Sequence, residues 1–227
     1  MRVSIIIPTL NEEDQIGRLL EYIRENYCVH EIIVIDGGSS DSTVSIALKT
    51  AEVIRTSKGR GHQLNIGANR ATSEILWFLH ADTLPHPSAL QMILQTMTDK
   101  NIIGGAFEYT FFGKSLILKV LSRYSNFKNR ILKRIYGDMG IFVRKDVFHK
   151  IKGFPESLLM EDFAISTLLR KEGEIKILPQ KIETSPRDWE KMGILNKIVK
   201  DSLIKTAYRL NFNNQRLYNW YYGVKND

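Results

Sequence analysis

At 227 residues the chain can form one large domain with a full core, or a domain with an added subdomain. Hydrophobic content of 43% and charged content of 25% are ordinary for a soluble globular protein, and no apolar run approaches the ~18 residues of a membrane span. The single cysteine, Cys28, excludes an intrachain disulfide and any Cys-rich metal site, and the formal net charge of +7 asks for anionic partners.

The chain opens with Met1-Arg2 running straight into the apolar run Val3–Ile7, which argues against a cleavable signal peptide and favours a cytoplasmic location. That run ends in Pro8-Thr9-Leu10-Asn11-Glu12. A second, Ile32–Ile35, ends in Asp36-Gly37-Gly38-Ser39-Ser40-Asp41, and a third, Ile75–Leu79, ends in His80-Ala81-Asp82. Unalternating apolar runs of this kind predict strands buried on both faces, as in a parallel sheet under helices. Ligands of such sheets bind beyond the carboxyl ends of the strands, where these polar residues fall. The periodicity predicts strand 3–7, helix 12–26, strand 32–35, helix 41–50, strand 52–55, helix 61–72, strand 75–79 and helix 87–98. Asp41 and Ser42 suit a helix N-cap and Pro87 a first turn. Cys28 is expected as a buried filler at a helix end. The strict alternation argues for right-handed βαβ units.

After about residue 100 the pattern changes. Ile102 to Phe112 reads as one or two strands, followed by a basic helix, an extended segment at 140–143, a short helix at 146–150 and a helix from Glu161 to Lys171. Ile175–Leu178 is extended, and the chain from Trp189 to about Tyr208 reads as helical before the aromatic tail Tyr218–Tyr222. No repeat or Gly/Ser linker divides the chain. The expectation is a single domain over 1–227, with a nucleotide-binding half to about 100 and an acceptor-side half from 101.

Residues 114–134 carry seven basic side chains and no acidic one, equal to the whole formal excess. Lys119, Arg123, Arg130 and Arg134 share one helical face, and Ile117, Val120, Leu121, Tyr124, Phe127, Ile131 and Ile135 lie opposite at core spacing. Two readings follow: a solvated cationic face over a packed apolar one, or a basic amphipathic helix that contacts an anionic membrane peripherally. No nucleic-acid module accompanies the charge, so no nucleic-acid partner is expected.

Four places carry candidate chemistry. Asp36 at a strand end is an acceptor for a base N–H or ribose hydroxyls, or belongs to a turn and N-cap cluster with Ser39, Ser40 and Asp41. Lys58-Gly59-Arg60-Gly61-His62 opens a helix and is either a diphosphate contact, with Lys58 and Arg60 supplying charge, or a plain loop. It lacks the third glycine of a dinucleotide fingerprint and the Gly-Lys-Ser/Thr of a P-loop. Asp82 is the best metal-ligand candidate, with His80 as a possible second ligand, although Asp82-Thr83 also suits a turn cap. Glu161-Asp162 at a helix start are either dipole-stabilised caps or a catalytic pair able to take a proton from a hydroxyl.

Taken in order, Ile6–Glu13, Asp36–Thr43, Phe78–Thr83 and Met160-Glu161-Asp162 resemble the family 2 glycosyltransferases of the GT-A fold, over roughly residues 2–175. Tyr136–Phe142 and Thr184–Glu190 are similar to a bacterial subgroup named for its association with radical-SAM and selenium-related proteins. The resemblance implies an α/β fold, mostly parallel, with a C-terminal helical elaboration. It also implies an inverting transfer of sugar from a nucleoside-diphosphate sugar to an acceptor hydroxyl of unspecified kind. By position, Pro8, Thr9, Glu12 and Asp36 would hold the nucleotide, Asp82 a divalent Mn2+ or Mg2+, and Asp162 would be the general base beside Glu161. Tyr136, Asp138, Arg187 and Trp189 would lie on the acceptor side, with Trp189 an apolar platform and Arg187 an anion partner.

One departure concerns the metal. The family usually places a carboxylate two positions before the metal Asp, and here that position is His80. A directly ligating imidazole favours manganese; otherwise His80 orients Asp82 or contacts a phosphate. Two rivals remain. A nucleotidyltransferase is disfavoured because the glycine-free, acidic Pro8–Glu12 follows the first strand. A noncatalytic nucleotide-sugar-binding protein is disfavoured because Asp36, Asp82 and Asp162 occur together.

Overall fold

The computed structural model describes residues 1–155, 159–210, 212 and 214–222. The three apolar runs become β1 (Val3–Thr9), β2 (Glu31–Asp36) and β4 (Ile75–Phe78), which with β3 (Glu52–Arg55) pair in parallel in the order β3-β2-β1-β4. Successive residues of β1 enter opposite cores, Ile5 and Ile7 on one face and Ile6 on the other. Both faces of the strand are dry, which is why its run does not alternate. On the first face lies α1 (Glu13–Asn26), burying Ile16, Leu19, Leu20 and Ile23 at helical spacing, together with α4 (Ala89–Thr96). The second face is covered by α3 (Arg60–Arg70), through Leu64 and Ala68. The helix expected over 41–50 forms only as α2 (Thr43–Ala47). Cys28 is exposed rather than buried, because it lies beyond the last buried position of α1 and its C-cap Tyr27.

The sheet continues antiparallel. β7 (Phe142–Arg144) pairs with β4 and with β6 (Ile102–Phe111), β6 pairs in parallel with β8 (Glu174–Thr184), and β8 closes the eight-stranded order on β5 (Thr83–Pro85). Two of these strands correct the sequence reading. β8 runs 11 residues, well past the expected Ile175–Leu178, and β5 occupies a stretch read as a turn. Both depend on pairing with strands distant in sequence, β8 with β6 and the edge strand β5 with β8, which a period-based reading of one segment at a time does not reveal. Between them come α5 (Leu116–Leu132), a 3-10 turn at Gly137–Met139, α6 (Lys145–Lys150) and α7 (Glu161–Glu172). The C-terminal helical region breaks at Gly193, whose φ of +80° suits glycine, into α8 (Arg187–Met192) and α9 (Ile194–Arg209), followed by α10 (Asn214–Tyr222).

The orientation of α5 is the largest correction. Its apolar stripe, which the first of the two readings packs in the core, largely faces outward: Val120, Tyr124 and Phe127 are 63%, 64% and 65% exposed, and Leu116, Ile117 and Ile131 are exposed with them, while Leu121 and Ile135 pack inward. The buried face is Leu118, Ser122, Asn126 and Asn129. Asn126 explains the choice, since its amide accepts from the Tyr109 backbone N–H (3.2 Å) and donates to the Tyr109 carbonyl (2.8 Å). The side chain thus completes the ladder of β6 where no neighbouring strand does.

Candidate active site

Parallel pairing places Thr9 opposite Asp36 at the carboxyl ends of β1 and β2. Two loops leave from there and are laced together. Asn11 accepts from the Ser40 N–H (2.9 Å), Thr43 Oγ1 accepts from the Glu12 N–H (2.8 Å), and Glu13 accepts from the Ser42 N–H (2.9 Å). Asn11 holds a left-handed φ of +54° to do so. The Asp36 carboxylate is buried and accepts from the N–H groups of Gly38 (3.0 Å) and Ser39 (2.9 Å) and from the Ser39 hydroxyl. It shapes this loop from beneath, as the turn-cluster reading anticipated, and its acceptor capacity is spent there. Gln63, which the sequence reading missed, is buried on α3 and donates to the carbonyls of Thr9 (2.9 Å) and Ile35 (2.7 Å), tying the two strand ends.

The turn after β4 carries His80 and Asp82. Because β5 pairs with β8, with Thr83 opposite Thr184, the chain after β8 is delivered to Asp82, whose carbonyl accepts from the Ser185 N–H (3.1 Å). Arg187 thereby reaches Glu12, with Nη2 at 2.8 and 3.1 Å from its two carboxylate oxygens, and stands 3.9 Å from Asp82 Oδ2. Burial, then the neighbouring Glu12, raise the Asp82 carboxyl above its ordinary range, and Arg187 partly offsets both. Arg187 was expected on the acceptor side; it instead bridges the expected nucleotide and metal residues. Trp189 is half-buried, and its ring makes a T-shaped contact with Phe111 at 5.5 Å between centroids.

A second acidic group gathers around Asp138, whose carboxyl feels the charges of both Asp162 and Asp82. The start of α7 brings Asp162, whose Oδ2 accepts from the Gly137 N–H (3.2 Å) and whose Oδ1 accepts from its own Phe163 N–H (2.7 Å). Met160, just before it, holds a left-handed φ of +63°. Gly137 is needed for close approach: a Cβ there would fall 2.7 Å from His80 Nε2 and 3.9 Å from Asp162 Oδ2. The His80 ring therefore lies beside the Gly137–Met139 turn. Burial, then the Arg60 guanidinium, hold its imidazole neutral, with its pKa pushed down to about 3. Asp138 is pushed up to about 6 by burial and then by the Asp162 charge, with Lys205 of α9 acting in the opposite direction. Glu161 is buried and raised by burial, with Arg60 Nη1 3.5 Å away lowering it. Tyr136 lies beneath Lys205, whose Nζ is 5.1 Å from the ring centroid. Lys58 stands exposed in the loop before α3. Lys205 is the other member missed in the sequence, where nothing distinguishes it from the surface lysines of its helix.

Asp82 suits a divalent cation in one respect: it is a desolvated carboxylate beside Glu12, with a cation no nearer than 3.9 Å. A single carboxylate with phosphate oxygens is an adequate donor set for Mg2+ or Mn2+. Among the described residues, however, no three His, Cys, Asp or Glu side chains converge to hold a metal by themselves, so substrate oxygens would have to complete the shell.

Residues 4–158 match the model of Glycosyl transferase family 2. Glycosyltransferase AglE of Haloferax volcanii is 30% identical over 173 residues, which are 69% of this chain and 57% of the relative. An undecaprenyl-phosphate 4-deoxy-4-formamido-L-arabinose transferase of Photorhabdus laumondii is 23% identical over 212 residues, 86% of this chain and 65% of that protein. The chain thus spans little more than half the length of the first relative. Among solved structures, S. aureus TarS residues 1–349 in complex with UDP superposes with a TM-score of 0.68 at 20% identity, covering 88% of this chain and 65% of that one. The mannosyltransferase PcManGT of Pyrobaculum calidifontis, in complex with GDP-Man and Mn2+, superposes with a TM-score of 0.64 at 21% identity, covering 80% and 56%. The laced strand ends, the facing carboxylates and the family match over two thirds of the chain agree: this protein belongs to Glycosyl transferase family 2 and has the GT-A fold.

Proposed function

We propose that the chain transfers a sugar from a nucleoside-diphosphate sugar to an acceptor hydroxyl, with inversion at the anomeric carbon and Asp162 as general base. The observation that carries this reading is the gathering of Asp82, Asp138 and Asp162, from three separate parts of the sequence, into one electrostatically coupled group beyond the strand ends. Asp138 is pushed up by burial and by the charges of Asp162 and Asp82, and holding like charges together costs stability, a cost that concentrates at functional sites. The complexes of structural neighbours with UDP and with GDP-Man and Mn2+ support the donor class.

In this reading the nucleotide lies against the Pro8–Glu12 and Asp36–Thr43 loops, with Asp36 keeping their shape. Lys58 and Arg60 are available to the diphosphate from the start of α3. Asp82, with the diphosphate oxygens, would hold a divalent cation, which supplies charge neutralisation for the leaving group. Arg187 offsets part of the repulsion that Glu12 exerts on Asp82. The Gly137 and Phe163 N–H groups aim the Asp162 carboxylate. Asp162 takes the proton of the acceptor hydroxyl. The acceptor hydroxyl oxygen bonds the anomeric carbon from the face opposite the nucleotide, and the bond to the diphosphate oxygen breaks, its electron pair leaving with the nucleoside diphosphate. Neutral His80 lies beside Gly137 and adds no positive charge there. Tyr136 and Asp138 lie on the acceptor side of Asp162.

The first test is a thermal-shift panel of UDP, GDP, CDP and dTDP with and without Mn2+ or Mg2+, followed by turnover with the matching sugars. One nucleotide should shift the melting temperature only with metal. Asp162→Asn should keep that shift and lose at least about 10² in kcat. Saturable donor binding without turnover by wild type on any acceptor would favour the noncatalytic reading, and unchanged turnover in the variant removes Asp162 from the base role.

A further inference from the structure

The outward stripe of α5 has no counterpart in the donor chemistry and needs its own explanation. On a helical projection, Leu116, Ile117, Val120, Tyr124, Phe127 and Ile131 fall within about 100° of arc, all of them exposed. Lys119, Arg123 and Arg130 border the arc on one side and Lys128 on the other, and residues 114–134 contain no acidic side chain. Arg130 pairs with Glu108 of β6, which holds it at the border. The flank with Lys119 and Arg123 opens onto a hollow of about 360 Å³ that also presents Lys181, Asn126 and Glu183. A contiguous exposed apolar face of this kind marks an interaction surface.

We propose that α5 docks this protein on an anionic lipid bilayer, with the apolar stripe in the headgroup–acyl boundary and the bordering cations on lipid phosphates. Charge complementarity selects this occupant. A second copy of the chain meeting stripe to stripe would bring two net-cationic borders together, whereas an anionic bilayer meets both borders with opposite charge and the stripe with hydrocarbon. An apolar arc flanked by Lys and Arg is also the pattern of a helix that lies in a membrane interface, and among the described residues no helix is long and apolar enough to cross one. The anchorage fits the same role. Asn126 fastens α5 to β6 by backbone hydrogen bonds, so the stripe is presented by a rigid element. Through Lys133 and Ile135 the helix leads directly into the Gly137–Met139 turn, so docking would bring that turn within a short length of chain from the bilayer.

The test is co-sedimentation of the whole chain with large unilamellar vesicles of phosphatidylcholine alone, or with 30% phosphatidylglycerol as the order of an anionic bacterial surface, at low and high salt. Binding should be at least about tenfold tighter to the anionic vesicles and should weaken with salt. Val120→Gln with Phe127→Gln should remove at least about tenfold of it at either salt. Lys119→Gln with Arg123→Gln should remove a similar amount and flatten the salt dependence. All four positions are exposed, so circular dichroism and melting temperature should match wild type. Equal binding to both vesicle types, or wild-type binding by both double variants, overturns the proposal. So does a concentration-dependent dimer that Val120→Gln with Phe127→Gln disrupts while wild type ignores vesicles, which would make the stripe a self-interface. None of these readouts depends on turnover, so the docking surface and the proposed reaction stand or fall separately.

Discussion

α1 and α5 carry the same kind of pattern, apolar residues three and four apart with charged residues between, yet they face opposite ways. α1 buries Ile16, Leu19, Leu20 and Ile23 against β1 and β4, whereas α5 turns Val120, Tyr124, Phe127 and Ile131 to the outside and buries Ser122, Asn126 and Asn129. Periodicity defines a face, and what the face meets depends on the partner surface. For α1 that surface is an apolar sheet. For α5 it is β6, whose Tyr109 backbone groups need hydrogen-bond partners that Leu or Phe does not supply. An outward apolar stripe is therefore consistent with a polar anchor on the inside.

The contrast can be broken by mutation. Leu20→Ala, in the dry core under α1, should cost about 2–5 kcal/mol, seen as a lower urea midpoint at unchanged slope. Asn126→Ala should cost about 1–3 kcal/mol, because it strands the Tyr109 N–H and carbonyl, and should raise amide exchange across β6. If Asn126→Ala is neutral while Phe127→Ala is costly, the orientation of α5 is wrong.

The turn that follows α5 sharpens the comparison, because its polar group, Asp138, is a buried carboxyl beside another carboxylate. Asp138 stands at about 6, above the ~3.9 of an unfolded chain, through burial and the Asp162 charge. The folded state therefore holds this proton more tightly than the unfolded state. Its stability falls as pH rises from about 4 to about 6, and the penalty is complete above that. In metal-free buffer Asp138→Asn should gain roughly 1–2 kcal/mol over wild type at pH 8 and nothing at pH 4, by denaturant melts at both. The smallest effect belongs to the stripe itself: Phe127→Ala should stay within about 0.5 kcal/mol of wild type in solution, since its ring is already in water.

Much of the donor side was legible because local patterns carry it. Runs buried on both faces end where the sheet ends, so Thr9, Asp36 and Asp82 could be set at the rim from hydrophobic boundaries alone. The Glu161-Asp162 pair could be set at a helix start from the apolar spacing behind it. Other features were not legible. β5 is three residues long and exists through its pairing with β8, and that pairing moves Arg187 to Glu12 and Asp82. Gln63 and Lys205 act on groups far away in the chain, and their own neighbours in sequence give no sign of it. Asp36 was read as a ligand acceptor or a turn former, and the loop hydrogen bonds support the second role.

By itself the sequence determined the parallel half of the sheet and the positions of the carboxylates at strand and helix ends, because burial of short apolar runs is decided over a few residues; the family was implied separately, by the resemblance of four motifs in order. Only the tertiary structure decided which carboxylates meet, which cation stands between Glu12 and Asp82, and which way α5 faces. Those outcomes depend on edge pairing and on backbone groups seeking partners across the chain, and neither leaves a local periodicity to read.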